Sequence, residues 1–237
     1  MIKAVFFDLD GTLLPLDEKK FIDVYFKLLC RRMVDYGFEP NLLSKVIWEG
    51  TMAMFKNDGS VSNEEVFWDL FEKYYGKEKR LNKEIFDEFY TNEFKQVKVC
   101  CEENEKAKNI IDFCRSKNLI TVLSTNPLFP RPGTLTRMSF IGLKEEDFDY
   151  VTTYENSRYC KPNPKYFIEL LNKYNLKPEE VIVFGNNTLE DGECSLACGM
   201  KCYIVGDKYV IEHEKTIHEF ERISMDDIIV KIEENLN

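Results

Sequence analysis

The chain has 237 residues, 44% of them hydrophobic, enough for one large core or for one core with a smaller appended domain. Its 42 acidic against 32 basic residues give a formal net charge of −10 with no Lys/Arg cluster, which argues against nucleic acid or an anionic membrane surface as partner. The longest apolar runs reach about six to eight residues, too short to span a bilayer, and Met1-Ile2-Lys3 leads directly into a strand pattern without signal-peptide character, so a soluble, cytoplasmic protein is expected.

Residues 2–7 (IKAVFF) form an apolar run rich in β-formers, interrupted only by Lys3, as a central strand covered on both faces requires. It stops on Asp8 and Asp10, followed by Gly11 and Thr12. From 16 to 97 the pattern is helical with no convincing strand. Phe21, Val24, Tyr25, Leu28 and Leu29 fall on one helical face, and Ser62-Asn63-Glu64-Glu65 reads as a capping box, so an insertion of about four helices is expected. Its aromatics Trp48, Phe55, Phe67, Trp68, Tyr74 and Tyr75 either line a substrate pocket or form bundle core, and the spacing favours core.

Four further strand patterns follow: 119–124 (LITVLS), 149–154 (DYVTTY), 181–185 (VIVFG) and 201–206 (KCYIVG). Helical stretches separate them. One is marked by Phe167, Leu170, Leu171 and Tyr174, with Asn163-Pro164 as N-cap and first helical residue. Alternating strand and helix is the signature of a parallel sheet built from right-handed βαβ units.

Eight cysteines suggest a disulfide framework or a metal site, but no CxxC pair is present and His213 and His218 are the only histidines. Buried free thiols are the expected reading, Cys160 included, although Lys161 stands beside it and a cation can activate a thiol.

Ligands of open α/β sheets bind beyond the carboxyl ends of the strands. Four polar segments occupy such positions: Asp8-Leu9-Asp10-Gly11-Thr12, Ser124-Thr125-Asn126, Lys161-Pro162-Asn163-Pro164, and Gly185-Asn186-Asn187 with Glu190 and Asp191 beyond. Alone, each reads as a turn, a cap or a solvated charge. Side chains two apart on an extended chain point the same way, so Asp8 and Asp10 can address one substrate.

In this order and spacing, FFDLDGTL, TVLSTNP, CKPNPKYF and VIVFGNNTLEDGECSLACGM resemble the haloacid dehalogenase-like (HAD) superfamily over essentially the whole chain outside the helical insertion. The resemblance implies an α/β fold: a Rossmann-like doubly wound parallel sheet core (1–15 and 98–237) with an inserted α-helical cap domain of the C1 type (16–97). It implies a magnesium-dependent hydrolase of a small phosphomonoester, working through an aspartyl-phosphate on Asp8. Asp10 would serve as general acid and base, with Thr125 and Lys161 completing the catalytic set. Thr12, Thr125, Asn126 and Lys161 would bind phosphate, and Asp8, Asp10, Asn186, Asn187 and Asp191 would surround Mg2+.

The family loop carries an aspartate where this chain has Asn186 and Asn187, which removes a unit of negative charge from the metal site. A phosphomutase or phosphotransferase on the same scaffold, or a non-catalytic binding protein with a degenerate metal site, are the alternatives. The partner expected is a small phosphorylated metabolite, with the oligomeric state open. Arg131 and Arg137 either meet an anionic substrate or are surface or salt-bridging arginines, the latter being the expectation.

Overall fold

The computed structural model describes residues 1–80, 83–207, 209–211 and 220–236. His213 and His218 lie outside the described residues. In chain order the elements are β1 (Ala4–Phe7), α1 (Glu18–Met33), α2 (Pro40–Phe55), α3 (Asn63–Tyr75), α4 (Lys77–Arg80), α5 (Lys83–Thr91), a 3-10 stretch (Glu93–Cys100), α6 (Glu105–Ser116), β2 (Ile120–Leu123), α7 (Arg131–Ser139), β3 (Tyr150–Val151), α8 (Lys165–Tyr174), β4 (Val181–Gly185), a π-helical turn (Thr188–Glu193) running into α9 (Cys194–Leu196), β5 (Lys201–Val205), β6 (Glu221–Ile223) and α10 (Ile228–Leu236).

Among the described residues, six strands form one parallel sheet in the order β3-β2-β1-β4-β5-β6. The first crossover from β1 goes to one side of the sheet and the later connection to β4 goes to the other. The carboxyl end of β1 is therefore a topological switch point, where a crevice opens. Alternate residues of β1 supply both layers: Ala4 and Phe6 belong to a core with α8, Val5 and Phe7 to the larger core on the other face. Phe7 stacks on Phe184 of β4 at 5.4 Å between centroids, and Phe6 faces Phe167 of α8 at 6.4 Å.

The helical stretch contains five α-helices among the described residues, one more than the spacing suggests, because a single turn at Lys77–Arg80 precedes α5. Ser62 and Glu65 form the reciprocal capping box that opens α3. The chain leaves and re-enters the α/β layer along adjacent segments: Leu16 bridges Cys101, the Asp17 N–H donates to the Cys100 carbonyl at 3.0 Å, and the Glu102 N–H donates to the Pro15 carbonyl at 3.0 Å. The start of α3 is also tied to the α/β layer. The Asn63 and Glu64 N–H groups donate to the Ser157 and Tyr154 carbonyls at 2.9 and 2.8 Å, and the buried Asn63 amide donates to the Pro127 carbonyl at 3.3 Å.

All eight cysteines are free. Burial pushes the Cys160 thiol up to about 12, and the neighbouring Lys161 ammonium is bonded to carboxylates, so Cys160 is inert packing. No helix among the described residues is long and apolar enough to cross a membrane.

Candidate active site

The four polar segments meet at the crevice. Asp8 extends β1 by one hydrogen bond, its N–H donating to the Phe184 carbonyl at 2.9 Å, while the Ser124 N–H donates to the Phe7 carbonyl at 2.7 Å. These bonds bring the exits of β1, β2 and β4 side by side. Gly11 then turns the chain at φ +80°, and a Cβ there would lie 2.2 Å from the Asn186 amide nitrogen, so only glycine allows the two loops this approach.

Lys161 is 1% exposed, and its ammonium donates to Asp8 Oδ1 at 2.8 Å and to Asp191 Oδ1 at 2.6 Å. Burial alone would neutralise this lysine, but Asp191 and Asp8 hold its pKa well above the usual value and keep it charged. Asp191 is itself fixed from the other side, its Oδ2 accepting the N–H groups of Asn186 and Asn187, both at 3.1 Å. That fold-back passes over Gly185, where a Cβ would come within 2.1 Å of the carboxyl carbon. The Lys161–Pro162 peptide is cis.

Asp10 pairs with the guanidinium of Arg137 on α7. Burial raises the Asp10 pKa, opposed by Arg137 and reinforced by Asp8. Arg137 is 1% exposed and its guanidinium lies over the Phe129 ring, 4.3 Å from the centroid. The salt-bridging expectation therefore holds for Arg137, but inside the crevice. Arg131, by contrast, pairs with Glu145 at the surface.

The Thr12 hydroxyl lies 3.2 Å from Asp8 Oδ2 and 3.4 Å from Asn186 Oδ1, so its single proton serves one oxygen at a time. Thr125 is buried, and its carbonyl accepts from the Thr152 hydroxyl at 2.7 Å and the Tyr166 hydroxyl at 3.0 Å, which fixes the backbone after β2. The Asn126 amide donates to Glu190 Oε2 at 2.9 Å and to the Lys161 carbonyl at 3.1 Å. Burial pushes Glu190 up to about 7.

Two residues expected to surround the metal have their oxygens taken up by the protein. Asn187 Oδ1 accepts from the Leu189 and Glu190 N–H groups at 2.9 and 3.0 Å, capping the π-helical turn, and both Asp191 oxygens are used as described. Asp8 Oδ2 and Asn186 Oδ1 converge on one hydroxyl, and Asp10 Oδ1 is buried without a hydrogen-bond partner among the described residues. One or two carboxylates plus neutral oxygen are the donors magnesium takes when phosphate and water complete its shell, so this set fits the ion.

The pairing of Arg137 with Asp10, the Thr152–Tyr166 support and the Gly185–Asp191 fold-back are what sequence reading left unassigned. The signal for Arg137 was its place one helix beyond Thr125, where a chain leaving β2 returns towards the crevice.

Above Asp10, between the helical layer and the loop at 128–130, lies a cavity of about 280 Å3. Trp48, Phe67 and Trp68 line it; Phe55, Tyr74 and Tyr75 do not. Trp48 is thus wall, Phe67 and Trp68 are both core and wall, Phe55 and Tyr75 pack against the core, and Tyr74 is neither, being exposed with its hydroxyl on Glu49.

A family model for haloacid dehalogenase-like hydrolases matches residues 2–191, and the chain belongs to that family. Across the full chain it is 24% identical to the phosphorylated carbohydrates phosphatase of Thermotoga maritima, covering 97% of that protein. Among solved structures it is similar to a HAD family enzyme of Bacteroides thetaiotaomicron in complex with magnesium and inorganic phosphate (TM-score 0.53, 16% identity, 93% of this chain and 100% of that one). It is also similar to β-phosphoglucomutase of Clostridium difficile (TM-score 0.57, 15% identity, 99% and 97%). At these identities the structural likeness concerns the fold.

Proposed function

We propose that the protein is a magnesium-dependent phosphomonoester hydrolase that works through an aspartyl-phosphate on Asp8. The observation that carries this reading is the pair of carboxylates two residues apart at the end of β1, each held by its own buried cation: Asp8 by Lys161 at 2.8 Å, Asp10 by Arg137.

An Asp8 oxygen attacks phosphorus, the ester P–O bond breaks, and the leaving alkoxide takes a proton from Asp10. Asp10 then removes a proton from water, which attacks the same phosphorus. Phosphate departs and the Asp8 carboxylate is restored. Lys161 orients the nucleophile and offsets charge on the transferred group, and Asp191 keeps the ammonium in place. Asp10 acts as acid because burial favours its protonated form, and Arg137 fixes its direction.

With Asp10 carrying the proton it donates, Asp8 and Asp191 balance Lys161 and Arg137, and an arriving phosphate dianion takes the formal total to −2. Like charges at about 4 Å repel by roughly 4 kcal/mol each at an effective dielectric near 20. Magnesium held by Asp8 and Asn186 beside Asp10 would neutralise part of that charge and polarise the phosphoryl group. The HAD family enzyme of B. thetaiotaomicron in complex with magnesium and inorganic phosphate, and the T. maritima relative, named for phosphorylated carbohydrates, support a small phosphorylated substrate. We include in this reading that 16–97 acts as the cap, excluding bulk water and large substrates.

The test is release of inorganic phosphate from a panel of phosphomonoesters with and without magnesium, with products identified. Free phosphate that depends on magnesium and on Asp8 is expected. A phosphorylated acceptor in place of free phosphate would make the protein a phosphotransferase, and ligand binding without turnover would make it a binding protein.

A further inference from the structure

The cavity above Asp10 has the wrong walls for a sugar. Asp10 Oδ1 at its floor has no hydrogen-bond partner among the described residues, but five of the polar side chains in its walls are paired within the protein. The Tyr25 and Tyr90 hydroxyls bond each other at 2.8 Å, Trp68 Nε1 donates to the Tyr154 hydroxyl at 3.1 Å, and the Thr51 hydroxyl donates to the Ile47 carbonyl at 2.9 Å. The remaining surface is mostly carbon. No Lys or Arg lines the cavity among the described residues, and its charged lining is Asp10 at the floor and exposed Glu18.

We infer that this cavity receives the leaving-group half of the substrate, and that this half is a neutral aryl or branched-alkyl alcohol in place of a polyhydroxylated or second anionic group. The inference rests on the proposed hydrolase reading. Under that reading Asp10 protonates the leaving oxygen, so the space on the cavity side of Asp10 is where the alcohol lies. The phosphoryl group occupies the other side, against Asp8, Lys161 and Thr12. Sugar hydroxyls would exchange water for mostly carbon walls and lose hydrogen bonds, and a second phosphate or carboxylate would meet Asp10 and Glu18, with the Arg137 guanidinium behind Phe129 already paired with Asp10. An aryl ring loses nothing there and gains contact with the faces of Phe67, Trp68 and Trp48. At about 280 Å3 the space lies near the lower end of small-molecule sites, suited to one ring or a short branched chain.

The test compares esters of primary alcohols, so that leaving-group chemistry is closely matched: benzyl phosphate and 3-methylbutyl phosphate against glucose 6-phosphate and glycerol 3-phosphate, with magnesium. A kcat/KM higher by about 100-fold or more for the first pair is expected. Trp48→Ala, at an exposed position that tolerates truncation, should narrow that ratio by about tenfold with the thermal midpoint little changed. Equal or faster turnover of the sugar and glycerol esters would overturn the inference and leave the hydrolase reading intact. If no ester is turned over, the hydrolase reading fails, and the inference is then decided by binding. Benzylphosphonate should quench tryptophan fluorescence at concentrations about 100-fold below those of glucose 6-phosphate, and absence of that preference would overturn it.

Discussion

The guanidinium of Arg137 grips the carboxylate of Asp10 across 127 residues of sequence, with the Phe129 ring beneath it. This contact joins α7 to the loop after β1 and makes one side chain a candidate for both stability and catalysis.

Arg137 is the more deeply buried partner, its side chain 2% exposed against 24% for Asp10. Removing the carboxylate strands a desolvated cation that cannot shed its charge, which should cost more than removing the arginine and leaving a carboxyl that can take up a proton. Asp10→Asn is therefore expected to destabilise more than Arg137→Met, and the double variant should be more stable than the sum of the two by about 2 kcal/mol. Denaturant unfolding of the four proteins measures this. Additive losses would mean that the pair has no energetic coupling.

The same pair predicts a leaving-group signature. Without a correctly aimed acid, hydrolysis of benzyl phosphate should fall by two orders of magnitude or more in Asp10→Asn, on the order of what general acid catalysis supplies. An aryl phosphate, whose leaving group needs little protonation, should lose far less. Arg137→Met should show the same asymmetry in milder form, with kcat reduced more than KM is raised. Equal losses for both esters would remove Asp10 from the acid role.

Asp8→Asn retains the shape of the side chain and a hydrogen-bond acceptor for Lys161, while Asp191 still pairs that lysine at 2.6 Å. The variant should fold, and its rate should drop by at least about a thousandfold, because an amide is a poor nucleophile. Retention of more than about a tenth of the wild-type rate, measured with an aryl phosphate, contradicts covalent catalysis.

How much of this was legible beforehand depended on where the physical constraint sat. β1, β4 and β5 are covered on both faces and write themselves as continuous apolar runs. β6 is an edge strand, Glu221-Arg222-Ile223, with two exposed charges, and leaves no such run. The Ser62 cap was readable because its partner lies three residues away, and α8 was readable to within a residue, starting at Lys165. Asn187 and Asp191 are different. Their residue types suit a metal, but Gly185 lets Asp191 fold back under its own loop, and the turn at Thr188 claims the Asn187 oxygen for a cap. Such assignments are decided by backbone path, which spacing alone does not encode.

Asp147 offers a test of electrostatics away from the crevice. Its carboxylate is buried, which by itself would raise its pKa, but Lys108 at 2.8 Å and the Lys144 N–H at 2.8 Å outweigh burial and hold it below the usual value. A depressed folded pKa stabilises the protein above the unfolded value of about 3.9 and is lost as pH falls through the folded one. Asp147→Asn should therefore cost on the order of 1–2 kcal/mol at pH 7 and progressively less below about pH 4. Urea midpoints of both proteins at pH 7, 4 and 3 would show this, and a gap constant over that range would show that the ion pair contributes nothing.

The two asparagines of the loop after β4 can now be separated. Asn186 Oδ1 lies 3.4 Å from the Thr12 hydroxyl that also approaches Asp8, whereas Asn187 Oδ1 caps the turn through Leu189 and Glu190. Asn186→Asp adds a carboxylate beside Asp8, where it raises cation affinity. Asn187→Asp adds one that remains bound to backbone N–H groups and is already a good cap. One unit of charge at a partly solvated site is worth roughly 1–3 kcal/mol, so Asn186→Asp should lower the magnesium concentration for half-maximal activity by about tenfold or more. Asn187→Asp should leave it within about twofold, since its carboxylate stays on the turn. Magnesium titrations of aryl phosphate hydrolysis, paired with calorimetric magnesium binding, distinguish the outcomes. A shift in Asn187→Asp equal to that in Asn186→Asp would mean that the loop rearranges around the ion. No shift in either, with tight binding by the wild type, would mean that Asp8 and the phosphoryl group suffice and that the neutral amide costs the site nothing.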